Sequence, residues 1–540
     1  MKLLKLSVLA AGLLTGSLAF AKDISTPADW NAFIMAANGG DWSAWKDENG
    51  VVNIVADLVF PKAAACLESA NTWTGILDGH GHTITQKAAR LPLMINIGPE
   101  GVVRNLTVAG SRRSHLRNGW ASSIAVNNAG LVENCRSEVE YVVSGSHANV
   151  HGLVRTNTGI MRGCANLGPI VSSSPAEQLW VAGVVADNQG TLENCANYGS
   201  IQISGVDVNT SVAGVCIFAK GTISNCVNEG AVNVTLDLTD NRVFYCGGVL
   251  GRGECRGKDA SFTNCRNKGP VRVVREAQGP FSIQKCGVAG VVACVIDGDD
   301  THHLVIRNCF NDAEISLIED DHFLPQSGCF AVGGIVGRVC PNGGKESYMN
   351  VAQEGYFLEI IGCRNAGNIE HFPSLRFPVY FSQRSPSGAR FAYTGGIVGV
   401  LYGSSVSNAL LESCINTGAI SCGSRKASDV SGGIAGGIGN VQMRSCMSTA
   451  TFSPVESVYG KAETIGIIGA SVGLVFKDSK IENCQAKAAL ETGTAKVYSK
   501  GFVGAVAIDN NADVEACSAV GVPAWGKILP GTLNGDIKIN

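Results

Sequence analysis

The stretch Thr191-Leu192-Glu193-Asn194-Cys195-Ala196-Asn197-Tyr198-Gly199-Ser200-Ile201 returns one unit later as Thr222-Ile223-Ser224-Asn225-Cys226-Val227-Asn228-Glu229-Gly230-Ala231-Val232. The same frame recurs at eleven marker cysteines: Cys135, Cys164, Cys195, Cys226, Cys265, Cys309, Cys363, Cys414, Cys446, Cys484 and Cys517. Each has an apolar residue three positions before it, from Val132 through Phe262 to Val514. Two positions after it, the seven central units carry Asn166, Asn197, Asn228, Asn267, Asn311, Asn365 and Asn416. A glycine usually follows, and then a β-branched residue such as Ile201 or Val232, which reads as a turn feeding a strand. A second block of small and β-branched residues lies between markers, as at Gly333–Gly337 and Gly395–Gly399.

A unit of about 30 residues punctuated in this way holds three short strands, and such a unit cannot bury an apolar face by itself. Stacking each unit on the next gives every strand a parallel neighbour and makes one continuous core. The expected fold is therefore all-β, a right-handed parallel β-helix, since strand crossovers within one sheet are almost always right-handed. Equivalent residues should then form columns along the axis: aliphatic, cysteine and asparagine. A stacked asparagine can both donate to and accept from its counterpart one coil away, so the asparagine column reads as structural.

Composition agrees with an export-competent solenoid. The 540 residues are 45% hydrophobic and 16% charged with a net charge of −3, which gives no electrostatic footprint for nucleic acid. Glycine, at 67 residues, supplies the many tight turns such a chain needs. Lys2 and Lys5 precede an apolar run ending at Ala19-Phe20-Ala21, the pattern of a secretory signal peptide over residues 1–21. No later apolar stretch is long enough for a spanning helix, so the mature chain is expected to be secreted, periplasmic or at the cell surface. Residues 22–60 read as an N-terminal cap. There Thr26, Pro27 and Asp29 start a short helix whose Trp30, Phe33, Ile34 and Ala37 share one face. Residues 61–525 read as the β-helix and 526–540 as a tail.

The capping helix, the strand ending at Ala56-Asp57-Leu58, the segment Thr74–Ile84 with its Asp78-Gly79-His80-Gly81-His82 turn, and Gly333-Gly334-Ile335-Val336-Gly337 together resemble GLUG-motif proteins. These are exported bacterial repeat proteins, common in gut Bacteroidetes. The resemblance implies a surface or secreted β-solenoid that is adhesive or ligand-binding. Some relatives carry zinc peptidase chemistry, but none of the nine histidines here falls in a His-Glu-x-x-His motif.

Stacked marker cysteines lie too far apart at Cβ for disulfides and are expected as buried thiols. Cys246, Cys286 and Cys329, or Cys255, Cys294 and Cys340, flank the glycine-rich strand in three consecutive units and are the expected sites of one or two cross-coil disulfides. Function is expected in the lengthened units, whose insertions are Arg272–Gln284, Asp297–His303, Glu319–Ser327, Pro341–Tyr356 and His371–Tyr393. If these share a corner, they form one lateral surface holding Asp297, Asp299, Asp300, His302, His303, Glu319, Asp320, Asp321, His322, Arg376, Tyr380, Phe381, Arg384, Arg390 and Tyr393. The acidic loops suit calcium or acid–base work, and no other cofactor or metal is called for. The arginine and aromatic loop suits sugar rings or an acidic partner.

The expected function is glycan or protein binding at a bacterial or host surface without catalysis. The competing expectations are a polysaccharide lyase or glycoside hydrolase, which needs converging carboxylates, and a structural spacer, which needs no groove. Two further patterns read as structural: Gly469-Ala470-Ser471-Val472-Gly473 lacks a strand-to-helix setting, and His80 and His82 belong to a turn.

Overall fold

The computed structural model describes residues 22–539 apart from 89–91, 116–118, 146–147, 174–177, 207–208, 238–241, 256, 276–282, 297–301, 320–328, 341–355, 373–391, 403–407, 424–428, 455, 458–459, 462–463, 476–478, 492, 494, 507–510, 524 and 529–531. It is a right-handed parallel β-helix with two long sheets. One coil shows the plan. Ile160–Arg162, Ala165–Asn166 and Ile170–Ser173 form the front wall, and Gln178–Ala182 and Val185–Asn188 form the back wall. Each segment pairs in parallel with its counterpart in the next coil. The apolar column runs in register from Val52 through Leu77, Val103 and Val132 to Val514, a rod of roughly 60 Å at the strand spacing of a sheet.

Five short segments thus replace the three expected per coil. A left-handed residue just before each marker cysteine breaks the front wall: Asn194 and Asn225 sit at φ 53°, and Gly163 takes the place at φ 63°. Asparagine and glycine tolerate that conformation, which most side chains avoid. The back wall is broken by a glycine-centred bend.

Two features that meet inside the rod explain why the coils stay in register. The asparagine side chains form an unbroken buried ladder. Asn166 Nδ2 donates to Asn197 Oδ1 at 2.8 Å, and the pattern continues through Asn228, Asn267, Asn311 and Asn365 to Asn416 with bonds of 2.7–2.9 Å. The same nitrogens donate to turn carbonyls, as Asn197 does to Gly199 at 2.9 Å. Opposite the ladder stands a column of glycines, Gly183, Gly214, Gly248, Gly290, Gly334 and Gly396. A methyl group at any of them would overlap the amide of the facing asparagine. The back wall therefore bends inward until its vertex touches the ladder on the front wall. The inner residues of both arms, such as Leu179, Val181 and Val185, join one continuous core. A second, shorter ladder of Asn128, Asn157 and Asn188 runs at the other end of the back wall, with bonds of 2.7 Å.

At the N-terminal end the helix Pro27–Asn38 closes the first coil. Thr26 Oγ1 accepts from Asp29 N at 3.1 Å, and the Asp29 carboxylate accepts from Thr26 N at 2.8 Å, as the sequence pattern requires. Trp30, Phe33, Ile34 and Ala37 are buried against Trp45 and Trp73. At the other end, Trp525–Ile528 and Thr532–Ile539 pair with the preceding coil, so the stretch read as a tail continues both sheets.

The marker cysteines are buried free thiols, each donating to a nearby carbonyl, as Cys226 Sγ does to Ser224 O at 3.3 Å. The expected cross-coil disulfides fail on register. Cys246 lies opposite Val288, Cys286 opposite Phe244 and Phe330, and Cys294 opposite Arg252 and Arg338. The cysteines of neighbouring coils are offset along the strand, which separates their Cβ atoms. The side chains of Cys329 and Cys340 lie outside the described set.

Asn228→Ala would strand the Asn197 donor and the Asn267 acceptor in the core. It should cost on the order of 3 kcal/mol, seen as a lowered thermal midpoint, whereas the exposed Gln202→Ala should change little. Iodoacetamide should leave the marker cysteines unmodified in the native chain and alkylate them after guanidinium unfolding, as read by peptide mapping.

Candidate functional site

Because the back wall folds inward, the outward side chains of its two arms face each other across a lateral cleft that runs along the rod. Along the approach arm the outward column is Trp120, Asn149, Trp180, Ser211 and Tyr245. Along the return arm two outward columns run side by side: Arg155, Ala186 and Ile217, and Thr156, Asp187, Phe218 and Arg252. The arms meet where Trp180 stacks edge-on against Phe218 with ring centroids 4.9 Å apart, over a floor of Ala182, Ala186 and Ile217. The guanidinium of Arg155 lies 5.7 Å from the Trp120 ring, and that of Arg252 lies 5.9 Å from Phe218. Trp120, Asn149, Arg155, Trp180, Asp187, Phe218 and Arg252 all remain partly exposed. One coil further on, Tyr245 packs onto Ala293 and Cys294 and all three are buried, so the cleft is filled from there.

Polar groups in the open part are held in place but not fully satisfied. Glu254 pairs with Arg252 at 3.3 Å and Lys220 at 3.8 Å, and Asp187 accepts from Gln189 Nε2 at 2.7 Å. His151, outward-facing beside Asn149 and 1% exposed, forms part of the cleft floor in register with Ala182. Burial first, and the Arg155 charge second, push its imidazole down to about 3, so it is neutral. Three buried atoms in this cleft, His151 Nδ1, Asp187 Oδ1 and Arg252 Nε, have no hydrogen-bond partner within the protein. Buried polar atoms are rarely left so, and a ligand or solvent group in the cleft would satisfy them.

The insertions singled out from sequence leave the rod at two corners. Arg272–Gln284, Glu319–Ser327 and His371–Tyr393 fall between the front wall and the approach arm. Asp297–His303 and Pro341–Tyr356 follow the return arm, after Val292–Ile296 and Val336–Cys340. The single shared corner is thus corrected: the Asp297 and Glu319 segments start from opposite rims of the back wall, because consecutive insertions fall at different points of the coil. Asp297, Asp299, Asp300, Asp320, Asp321, His322, Arg376, Tyr380, Phe381, Arg384 and Arg390 lie outside the described residues, as does the side chain of Glu319. His302 and His303 are half-buried before Leu304–Arg307, with His303 N donating to Asp259 at 2.9 Å. Tyr393 is fully buried within Ala392–Gly395 and does not belong to an exposed face. Ser471 is likewise buried inside Thr464–Val475.

A second hollow of about 480 Å³ opens at the left-handed corner, lined by His80, Gly81, Asn105, Thr107, Asn134 and Arg136. Its residues are largely occupied in holding the turn. His80 Nε2 is 2.8 Å from Asn53 Oδ1, and His82 Nδ1 is 3.2 Å from Asp57. Burial of Asp78 would raise its carboxyl, but bonds from His80 N, Asn105 and Arg104 outweigh this and keep it below the ordinary value. Among the described residues, no group of three or more His, Cys, Asp or Glu could hold a metal ion.

The cleft residues escape a reading of the sequence because the aromatic is not kept from unit to unit: Trp120 and Trp180 both stand fifteen residues before a marker cysteine, but Asn149 and Ser211 take that place in the neighbouring units. The available signal was a bulky aromatic at an outward site in a block otherwise made of small residues. A scan against protein families finds no match, and a search of curated proteins finds none either. No helix among the described residues is long and apolar enough to cross a membrane.

Since His151 and the equally buried His371 are both held down to about 3, the unfolded chain binds protons that the folded chain refuses between pH 6.5 and 3. Stability should be complete above pH 6.5 and fall by roughly 1.4 kcal/mol per pH unit for each histidine as the pH drops through that window. Thermal midpoints measured from pH 7 to 4 should show the decline, and His151→Gln should roughly halve it, leaving the part due to His371.

Proposed function

We propose that this chain is an exported, GLUG-type surface protein of the Bacteroidetes kind that binds a glycan in its lateral cleft. Its role is adhesive, without chemistry on the bound sugar. The observation that carries the reading is the row of half-exposed rings, Trp120, Trp180 and Phe218, flanked by Arg155 and Arg252. Sugar rings carry apolar C–H faces that pack on aromatic rings, and a rigid aromatic platform takes up such faces with little loss of conformational entropy. Guanidinium and amide groups beside the rings supply hydrogen bonds to ring hydroxyls or an acidic substituent. The rod form supports the same reading, since stacked coils give a long, stiff face on which polymer and cleft can run together.

Binding is favoured over cleavage by the state of the carboxylates in the open cleft. Glu254 is ion-paired on both sides, and Asp187 is drawn toward Gln189. A hydrolase needs two carboxyl groups facing one another across the scissile bond.

The chain from residue 22 should retain one or more glycans on an array and leave the same polysaccharides undegraded in a depolymerisation assay. Trp180→Ala should lower retention roughly tenfold while keeping the thermal midpoint within a few degrees. Glycan shortening by the wild type, or retention unchanged in Trp180→Ala, would remove this assignment.

A further inference from the structure

The partly exposed rings of the approach arm are not evenly placed. Trp120 and Trp180 occupy the same outward column two coils apart, with Asn149 between them. Two coil rises are about 10 Å, and the open cleft from Trp120 to Phe218 covers three, about 14 Å. Trp180 N donates to Asn149 Oδ1 at 2.8 Å, which fixes the orientation of that amide between the two rings. Beyond this stretch the cleft is filled by Tyr245, Ala293 and Cys294. The site is therefore a linear track with a repeat of two coils and a closed end.

An extended chain of equatorially linked pyranoses advances by close to one coil rise per sugar. Each ring is flipped relative to the one before, so the same face returns at every second residue. An axially linked chain coils away from any straight track. We infer that the cleft takes an extended, equatorially linked glycan lying along the solenoid axis, with alternate sugars stacked on Trp120 and Trp180 and the intervening sugar against Asn149. This rests on the glycan-binding reading and adds the linkage class, the orientation and the length of what is bound. The sugar following Trp180 reaches Phe218 and Arg252. There and along the floor, Asp187 Oδ1, Arg252 Nε and His151 Nδ1 are the buried polar atoms that hydroxyl groups of the ligand would meet. One face of the chain thus meets rings while its edges meet polar groups, which is the division a pyranose presents.

The test is calorimetric titration of the chain from residue 22 with cello- and chito-oligosaccharides of two to six sugars, with maltohexaose as the axially linked counterpart. In at least one equatorial series, affinity should climb from disaccharide to tetrasaccharide and then level off, with maltohexaose at least roughly tenfold weaker. Trp120→Ala and Trp180→Ala should each weaken the tetrasaccharide about tenfold, and Trp120→Phe, which keeps a ring, should restore most of the loss. Circular dichroism and thermal midpoints confirm that the variants fold.

The inference is overturned if a disaccharide binds as tightly as a hexasaccharide, if maltohexaose binds equally well, or if Trp120→Ala has no effect. It is overturned too if the array detects glycans but neither equatorial series binds, or if a hexasaccharide fails to displace an extended peptide found in the cleft. In each of these cases glycan binding elsewhere on the array would survive. Failure of every glycan on the array would remove the broader reading as well.

Discussion

The structure depends on a contact between two columns that face each other inside the rod: a ladder of carboxamides on the front wall and a line of glycines on the back wall. An asparagine such as Asn197 gives one hydrogen bond to the next coil and one to its own turn, so a slip by one residue would break bonds in a buried site. Each glycine lets the opposite backbone come against the ladder where a methyl group would collide. Together they fix the register of both walls. The ladder ends where the partner fails: Ser137 Oγ and Asn166 Oδ1 face the same junction with neither bonded, since a serine is too short to carry the amide chain onward.

The cleft is a consequence of that contact. A back wall drawn in to the front wall cannot also be flat on its outer side, so its two arms turn toward one another and form a concave channel. Where the outward positions are glycine, alanine or tightly packed side chains, as in the coils from Tyr245 onward, the channel closes and becomes a second small core. Where they are Trp120, Asn149, Trp180 and Phe218, the side chains stay partly exposed along the channel, with Trp180 and Phe218 in edge-on contact across it. Composition at a few outward positions therefore decides where along a uniform scaffold a ligand can lie. The insertions follow strands at the two outer ends of the arms.

Much of the architecture is legible in the sequence. The spacing of Cys195, Asn197 and Gly199 and its recurrence at Cys226, Asn228 and Gly230 required stacked coils, and the ladder bonds are those that the recurring amide implies. Thr26, Pro27 and Asp29 specified the helix start that is found, because a capping box is built from residues within one turn. The segment count was less accessible. The left-handed break at Asn194 falls inside what looks like one strand, and asparagine at that place has an equally good reading as a surface residue.

What the sequence alone determined is whatever repeats: the parallel stacking, the columns of apolar, thiol and amide side chains, and the capped end. Repetition turns a local pattern into a long-range one, since each residue's neighbour along the axis is its own counterpart. What only the tertiary structure decided is everything that depends on the shape of the coil in cross-section. The inward bend, the pairing of Trp180 with Phe218, the burial of Tyr393 and the division of the insertions between two corners all join residues that are not equivalent positions of the repeat. Their proximity is set by how sharply a glycine pair turns the chain and by which side of the back wall a residue occupies. Those are angles, and no spacing along the chain encodes them.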